Sequence, residues 1–194
     1  TTPGGGTTTT PGGGTVTTPG SGTTAPGGTG KTSDTGLQRA LRAQRLRAKA
    51  FRRCMSKAER RPRHRRAAAR ARCVRGYRRT PGRIRHLTAR ALSSTRIKLS
   101  FTAPGTDGHR PPAASSYLIA QTTTPIRTTR AFLAAPVLCS GRCPFAVTTV
   151  GTTLNLTITH LRPGTTYYYT VAARDNVTGT RGRRSAAIRV RTRR

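Results

Sequence analysis

The clearest alternation along the chain is Tyr167, Tyr169, Val171 and Ala173 interleaved with Tyr168, Thr170, Ala172 and Arg174. A period of two marks a sheet strand with one face toward a core. Shorter runs repeat it. Leu87 and Ala89 suit a first strand; Ile97, Leu99 and Phe101 alternate with Arg96, Lys98 and Ser100; Tyr117, Ile119 and Gln121 suggest a third. Leu154, Leu156 and Ile158, and finally Ile188 with Val190, complete the set. The segment holding Pro104, Gly105, Gly108, Pro111 and Pro112 has the punctuation of a loop. Strands of this length and spacing predict a mainly β chain built as a sandwich.

Upstream the period changes. Thr35-Gly36-Leu37-Gln38 has the form of a capping box and opens a run free of proline until Pro62. Leu37, Ala40, Leu41, Ala48, Phe51, Met55 and Ala58 share one helical face, leaving arginines on the remainder. A second helical run from about Arg63 to Arg79 carries Ala67, Ala71 and Val74 on its stripe. Together they predict a basic helical hairpin over residues 37–79. Residues 1–36 differ again, being almost wholly Thr, Gly and Pro, with Thr-Thr-Pro-Gly-Gly-Gly at 1–6 returning at 9–14. So few apolar side chains cannot offset the entropy of ordering, which predicts a disordered linker or stalk.

The strand beginning near Tyr167 follows Leu161-Arg162-Pro163-Gly164-Thr165-Thr166. This spelling of Leu161, Pro163, Gly164 and Tyr167, followed by alternating apolar residues, resembles the corner before the penultimate strand of fibronectin type III domains. The resemblance spans residues 84–194. It implies an immunoglobulin-like β-sandwich whose Tyr167 hydroxyl bonds back to the corner backbone, in a protein of bacterial, secreted or surface type. Leu99-Ser100-Phe101-Thr102-Ala103-Pro104 looks like the family's second strand, with Phe101 where the family usually has tryptophan. The connection from about Thr122 to Gly151 is longer than the family needs. Such a module is not by itself an activity.

Charge narrows the partners. Lys and Arg number 37 against 4 Asp and Glu, a formal charge of +33, so the surface attracts polyanions and repels itself. Nearly all the cations are arginine, whose planar fork suits phosphate and carboxylate; codon usage in a GC-rich genome produces the same skew. Two places stand out as polyanion-binding candidates: Arg52, Arg53, Arg65 and Arg66 in the hairpin, and Arg181, Arg183 and Arg184 in the loop before the last strand. Both are expected to face solvent. Arg181-Gly182-Arg183 occupies a loop where some family members carry Arg-Gly-Asp, and without the aspartate integrin-type recognition is not implied.

The four cysteines form two sequence-local pairs, Cys54 with Cys73 and Cys139 with Cys143. Beside a stalk of extracellular character, this favours disulfides over free thiols or zinc, for which His64 or His86 would have to join from other elements. A bond between Cys54 and Cys73 would close the hairpin and stabilise it by about 3 kcal/mol; one between Cys139 and Cys143 would pin the long connection. Ala25 to Thr32 matches a permissive phosphate-binding loop, but no apolar strand precedes it, so the match is read as chance. The acids and His64, His86, His109 and His160 are scattered, without a paired acid and base or a nucleophile elbow. No cofactor is expected. Asn155-Leu156-Thr157 and Asn176-Val177-Thr178 fit the glycosylation pattern, which matters only in a secretory pathway that uses it.

No apolar run is long enough to span a membrane. The chain opens on Thr1 and holds one methionine, Met55, which suggests processing from a longer product with a signal peptide removed. The expectation is a non-enzymatic, extracellular or surface interaction and spacer module contacting anionic wall polymer or polysaccharide. The alternative is a nucleic-acid-associated protein using the hairpin.

Overall fold

The computed structural model describes Val16–Thr17 and residues 31–194, with side chains from residue 36 onward. The stalk expected over 1–36 and the phosphate-loop match at 25–32 lie outside the described residues, apart from strand β1 (Val16–Thr17) and the opening of helix α1 (Lys31–Glu59). α1 therefore begins a turn before Thr35, which lies inside the helix and is not its cap. Nothing in that turn forbids helix, since no proline occurs between Lys31 and Pro62. Helix α2 (Arg63–Tyr77) follows Arg60-Arg61-Pro62 and returns along α1.

Every apolar position expected on the α1 stripe is buried or half-buried. The α2 stripe is rotated from the expected one. Of the expected positions Val74 is half-buried but Ala67 and Ala71 are exposed, while Ala69, Cys73 and Tyr77 turn inward. A disulfide between Cys54 and Cys73, with Cα atoms 5.8 Å apart, fixes that rotation, and Phe51 meets Tyr77 with ring centroids 6.0 Å apart. Among the described residues of the hairpin, only Ala58 and Cys73 are fully buried.

The sandwich is made of two four-stranded sheets. One runs β1, β8 (Thr153–Ile158), β3 (Ile97–Thr102), β2 (Arg85–Ala91); the other runs β10 (Ile188–Arg191), β9 (Thr166–Ala173), β6 (Ser116–Thr122), β7 (Cys143–Pro144). All the pairings are antiparallel. The segment expected as loop around Pro111 instead forms a small hairpin of β4 (Gly105–Asp107) and β5 (Arg110–Ala113). Gly108, with φ of 62°, makes its tight turn possible.

Ile97, Leu99 and Phe101 interdigitate with Tyr117, Ile119, Tyr169 and Val171 between the sheets. Phe101 stands edge-on to Tyr117 and to Phe145, with centroids 5.0 and 5.8 Å away. Three rings thus fill the core where a single larger ring was the alternative. The second sheet is also buried on its outer side. Helix α3 (Thr129–Ala134) lies in the long connection and drives Phe132 against Leu118, Ala120 and Ala172. Tyr167 to Ala173 is therefore not the one-sided strand its alternation suggested, because the connection supplies a second layer of apolar contact.

Candidate functional site

The residues after β9 form a tight loop that returns the chain to β10. Arg174 pairs with Arg181 across its base, and the Asp175 carboxylate accepts from the backbone N–H groups of Val177 and Thr178 and from the Thr178 hydroxyl. Gly182 then passes against Pro81. A Cβ at that position would lie 2.7 Å from the Pro81 carbonyl oxygen, so only glycine permits the approach. The contact brings the Thr80-to-Arg83 link beside the loop.

Between them opens a cleft of about 740 Å3. Arg83 reaches it from the link, Arg127 from the segment before α3, and Arg181, Arg183 and Arg184 from the loop. Its apolar floor includes Ile126 and Phe132. The loop arginines are not all solvent-facing as expected. Arg183 is exposed, but Arg181 and Arg184 are half-buried. The Arg181 guanidinium carbon sits 5.3 Å from the Phe132 ring centroid, a cation–π contact, and Arg184 Nη2 donates to the Arg127 carbonyl at 2.8 Å. These contacts hold two of the cations in place before any ligand arrives.

Among the described residues no carboxylate neutralises this set. The three acids whose side chains are described pair elsewhere: Glu59 with Arg70, Asp107 with Arg79 and Asp175 with Arg47. The cleft is thus a concave surface of uncompensated, forked cations. Arg52, Arg53, Arg65 and Arg66 are exposed on the hairpin, on other elements than the cleft. Arg65 Nε bonds to His64 Nε2 and Arg66 Nε donates to the Arg61 carbonyl.

The sequence reading missed Arg83 and Arg127, which nothing distinguishes from the other arginines of the chain. It also missed Gln44 and Arg47. Both lie on the apolar stripe of α1, which was the available signal: a polar residue at a core-facing position needs a polar partner. Arg47 bonds Asp175, and Gln44 accepts from the Asn176 amide at 3.0 Å. Asn176 also donates to the Ala113 carbonyl and accepts from Ser115, so this sequon asparagine is occupied by the fold. Asn155 lies within β8 and accepts from the Ser100 hydroxyl at 2.6 Å.

Both cysteine pairs are closed. Cys139 and Cys143, with Cα atoms 5.0 Å apart, ring a short turn in the long connection, and no cysteine is free to hold zinc. Among the described residues no group of three His, Cys, Asp or Glu side chains is placed to bind a metal. Among the same residues no helix is long and apolar enough to cross a membrane.

The corner itself has the back-bond that the resemblance implied. Gly164 takes a φ of 60°, and the backbone N–H of Arg162 donates to the Tyr167 hydroxyl at 2.9 Å. The sequence profile of the fibronectin type III domain matches residues 82–191, more than half of the chain. The chain belongs to the fibronectin type III family. Such domains commonly serve as extracellular interaction or spacer modules and are generally non-enzymatic scaffolds; with disulfides they are typical of extracellular proteins.

Solved structures similar to the chain include the FN1-FN3 domains of chicken CNTN1, at 19% identity and a TM-score of 0.41, over 60% of this chain and 31% of that one. Another is entitled a myokine structure, at 19% identity and a TM-score of 0.38, over 60% of this chain and 99% of that one. The chain thus spans about a third of the length of that solved chicken chain. No curated protein sequence matches it.

Proposed function

We propose that this fibronectin type III protein is a non-enzymatic interaction and spacer module of a secreted or surface-attached bacterial protein, and that it contacts polyanionic polymers through arginine-rich surfaces. Its ligand is an anionic wall polymer or polysaccharide. The observation that carries the reading is the cleft, where Arg83, Arg127, Arg181, Arg183 and Arg184 converge from three segments without a carboxylate among the described residues. At about 740 Å3 it has the volume of a ligand site, yet its rim is cationic where most such sites are apolar.

A second reading uses the exposed Arg52, Arg53, Arg65 and Arg66 to neutralise nucleic-acid phosphates. Against base stacking there, the hairpin's aromatic rings, Phe51 and Tyr77, pack on one another. Competition on the full chain at physiological salt separates the two. Teichoic acid, as an anionic wall polymer, is expected to resist displacement by duplex DNA. Easy displacement by DNA, without the reverse, would defeat the wall-polymer reading. Arg183→Gln is expected to weaken polymer binding and to leave DNA binding by the hairpin unaltered.

A further inference from the structure

The cleft does not end at Arg181. Arg174, opposite Arg181 across the loop base, donates from Nη1 to the Gly179 carbonyl at 3.2 Å and from Nη2 to the Gly141 carbonyl at 3.0 Å. Gly141 lies inside the Cys139–Cys143 ring. That bond seats the disulfide ring against the loop that carries Arg181, and the next residue, exposed Arg142, is near enough for its charge to act on Arg174. No described acid accompanies them, since Glu59, Asp107 and Asp175 are paired elsewhere. Burial, and then the charges of Arg142 and Arg181, push the Arg174 guanidinium below its ordinary range. The Nε of Arg174 is buried without an acceptor. Three like charges held together at a cost to the fold are stabilised by an anion placed among them.

We propose that Arg142, Arg174 and Arg181 form a second oxyanion subsite, continuous with the cleft through Arg181, so that this surface takes an anionic polysaccharide across at least two charged sugars. The inference rests on the polyanion reading of the cleft. Arg142 and Arg181 reach the oxyanion, and Arg174 supplies charge from behind while its hydrogen bonds hold the ring and the loop together. The disulfide keeps Arg142 in place, so the subsite exists only in the oxidised protein. The class of polymer follows from what the surface lacks. Phe132, the aromatic residue that lines the cleft, is fully buried and already lies under Arg181, so its ring offers no face on which a base could stack. Carboxylates or sulfate esters on successive sugars offer the repeated oxyanions that two linked subsites require.

The test is a length series of galacturonic acid oligomers, from monomer to octamer, titrated calorimetrically into the full chain at physiological salt. The octamer is expected to bind about tenfold more tightly than the dimer, because the second contact is intramolecular. Arg142→Gln is expected to weaken the octamer about fivefold and the monomer less than about twofold, the scale of one partly screened ion pair. Opening the ring with Cys139→Ala and Cys143→Ala should give the same length-selective loss. Arg142 is exposed, so its variant keeps the fold even if the double cysteine variant does not. If Arg142→Gln leaves the octamer unchanged while Arg183→Gln weakens every length, the subsite is overturned and the cleft reading stands. If no oligomer binds the unaltered protein, both fall. If single-stranded DNA displaces the octamer more readily than unlabelled octamer does, the polysaccharide assignment is overturned.

Discussion

Arg47 of α1 donates from Nη2 to Oδ1 of Asp175 at 2.6 Å, and the carboxylate is wholly buried. Asp175 lies at the root of the loop that presents Arg181, Arg183 and Arg184, so one ion pair fastens the helical hairpin to the cleft-bearing end of the sandwich. The attachment is cooperative. The same carboxylate accepts from the Thr106 hydroxyl and from the Arg79 backbone N–H, joining β4 and the link after α2 to the same point. In a chain of formal charge +33, a buried acid is the strongest available counterweight to repulsion between two basic units.

Removing Arg47 leaves that carboxylate buried with only neutral donors. Arg47→Met is expected to destabilise the protein by about 3 kcal/mol, as loss of one partner of a buried pair does. Arg45→Met, on the exposed side of the same helix, should change stability by less than about 0.5 kcal/mol. Thermal denaturation of the two variants followed by circular dichroism compares them. Equal melting temperatures would show that the hairpin is not anchored through this pair.

Acid should weaken the same attachment. Burial alone pushes the Asp175 carboxyl up, but the Thr178 hydroxyl, the hydrogen bond and charge of Arg47 and the Thr178 backbone N–H outweigh it and hold the group below the usual carboxylate range. A depressed folded-state value contributes stability above the unfolded value, near pH 4, that disappears as pH falls through the folded one. Stability should therefore decline from about pH 4 downward, and Asp175→Asn should be less stable at neutral pH with a flatter acid limb. Urea midpoints measured from neutral to strongly acid pH give the comparison. An unchanged acid limb in the variant would exclude Asp175 as the responsible group.

The sandwich was legible because its strands obey a simple period and its corner has a compact spelling. Leu99, Phe101, Tyr117, Leu156 and Val171 could be placed on the core face from neighbours alone. The rotation of α2 was not, since an alanine-rich helix offers several nearly equivalent stripes and a covalent bond at Cys73 decides among them. Nor was the outer layer on β6 and β9, because Phe132 sits in a six-residue helix too short for periodicity to declare itself. The cleft was half legible: the arginines of one loop were visible, but Arg83 and Arg127 join them only through the Gly182–Pro81 approach and the packing of α3.

The corner tyrosine tests the most readable element. Tyr167→Phe keeps the ring and removes the acceptor for the Arg162 backbone N–H. The expected loss is about 1 to 2 kcal/mol, that of one hydrogen bond in a mostly buried place, with the denaturant slope unchanged. Equilibrium unfolding in urea gives both quantities. A neutral substitution would mean that water replaces the bond.

Within the cleft, Arg183 and Arg184 should behave differently. Arg183 is exposed and makes no hydrogen bond through its side chain that ties it to the fold, whereas Arg184 braces the Arg127 carbonyl. Arg183→Gln should lower the slope of log affinity against log salt by about one unit or less without moving the melting temperature. Arg184→Gln should lower both affinity and melting temperature. Binding isotherms on an anionic polymer at several salt concentrations, beside a thermal melt, resolve the pair. Identical effects of the two would argue that the cleft is a diffuse charge field and not a shaped site.

The hairpin is the least self-sufficient part of the molecule. Among its described residues it buries only Ala58 and Cys73 fully, and its helices are lined with arginines of like charge. Closure of a loop with sequence separation 19 contributes about 3 kcal/mol by restricting the unfolded chain, comparable to all that so thin a stripe offers. Reduction, or Cys54→Ser with Cys73→Ser, should therefore melt the helices before the sandwich. Helical ellipticity is expected to fall at a lower temperature than the near-ultraviolet signal of the core tyrosines Tyr117 and Tyr169, and the two transitions to coincide in the oxidised protein. Coincident transitions after reduction would instead show that the Arg47–Asp175 anchor alone makes hairpin and sandwich a single cooperative unit.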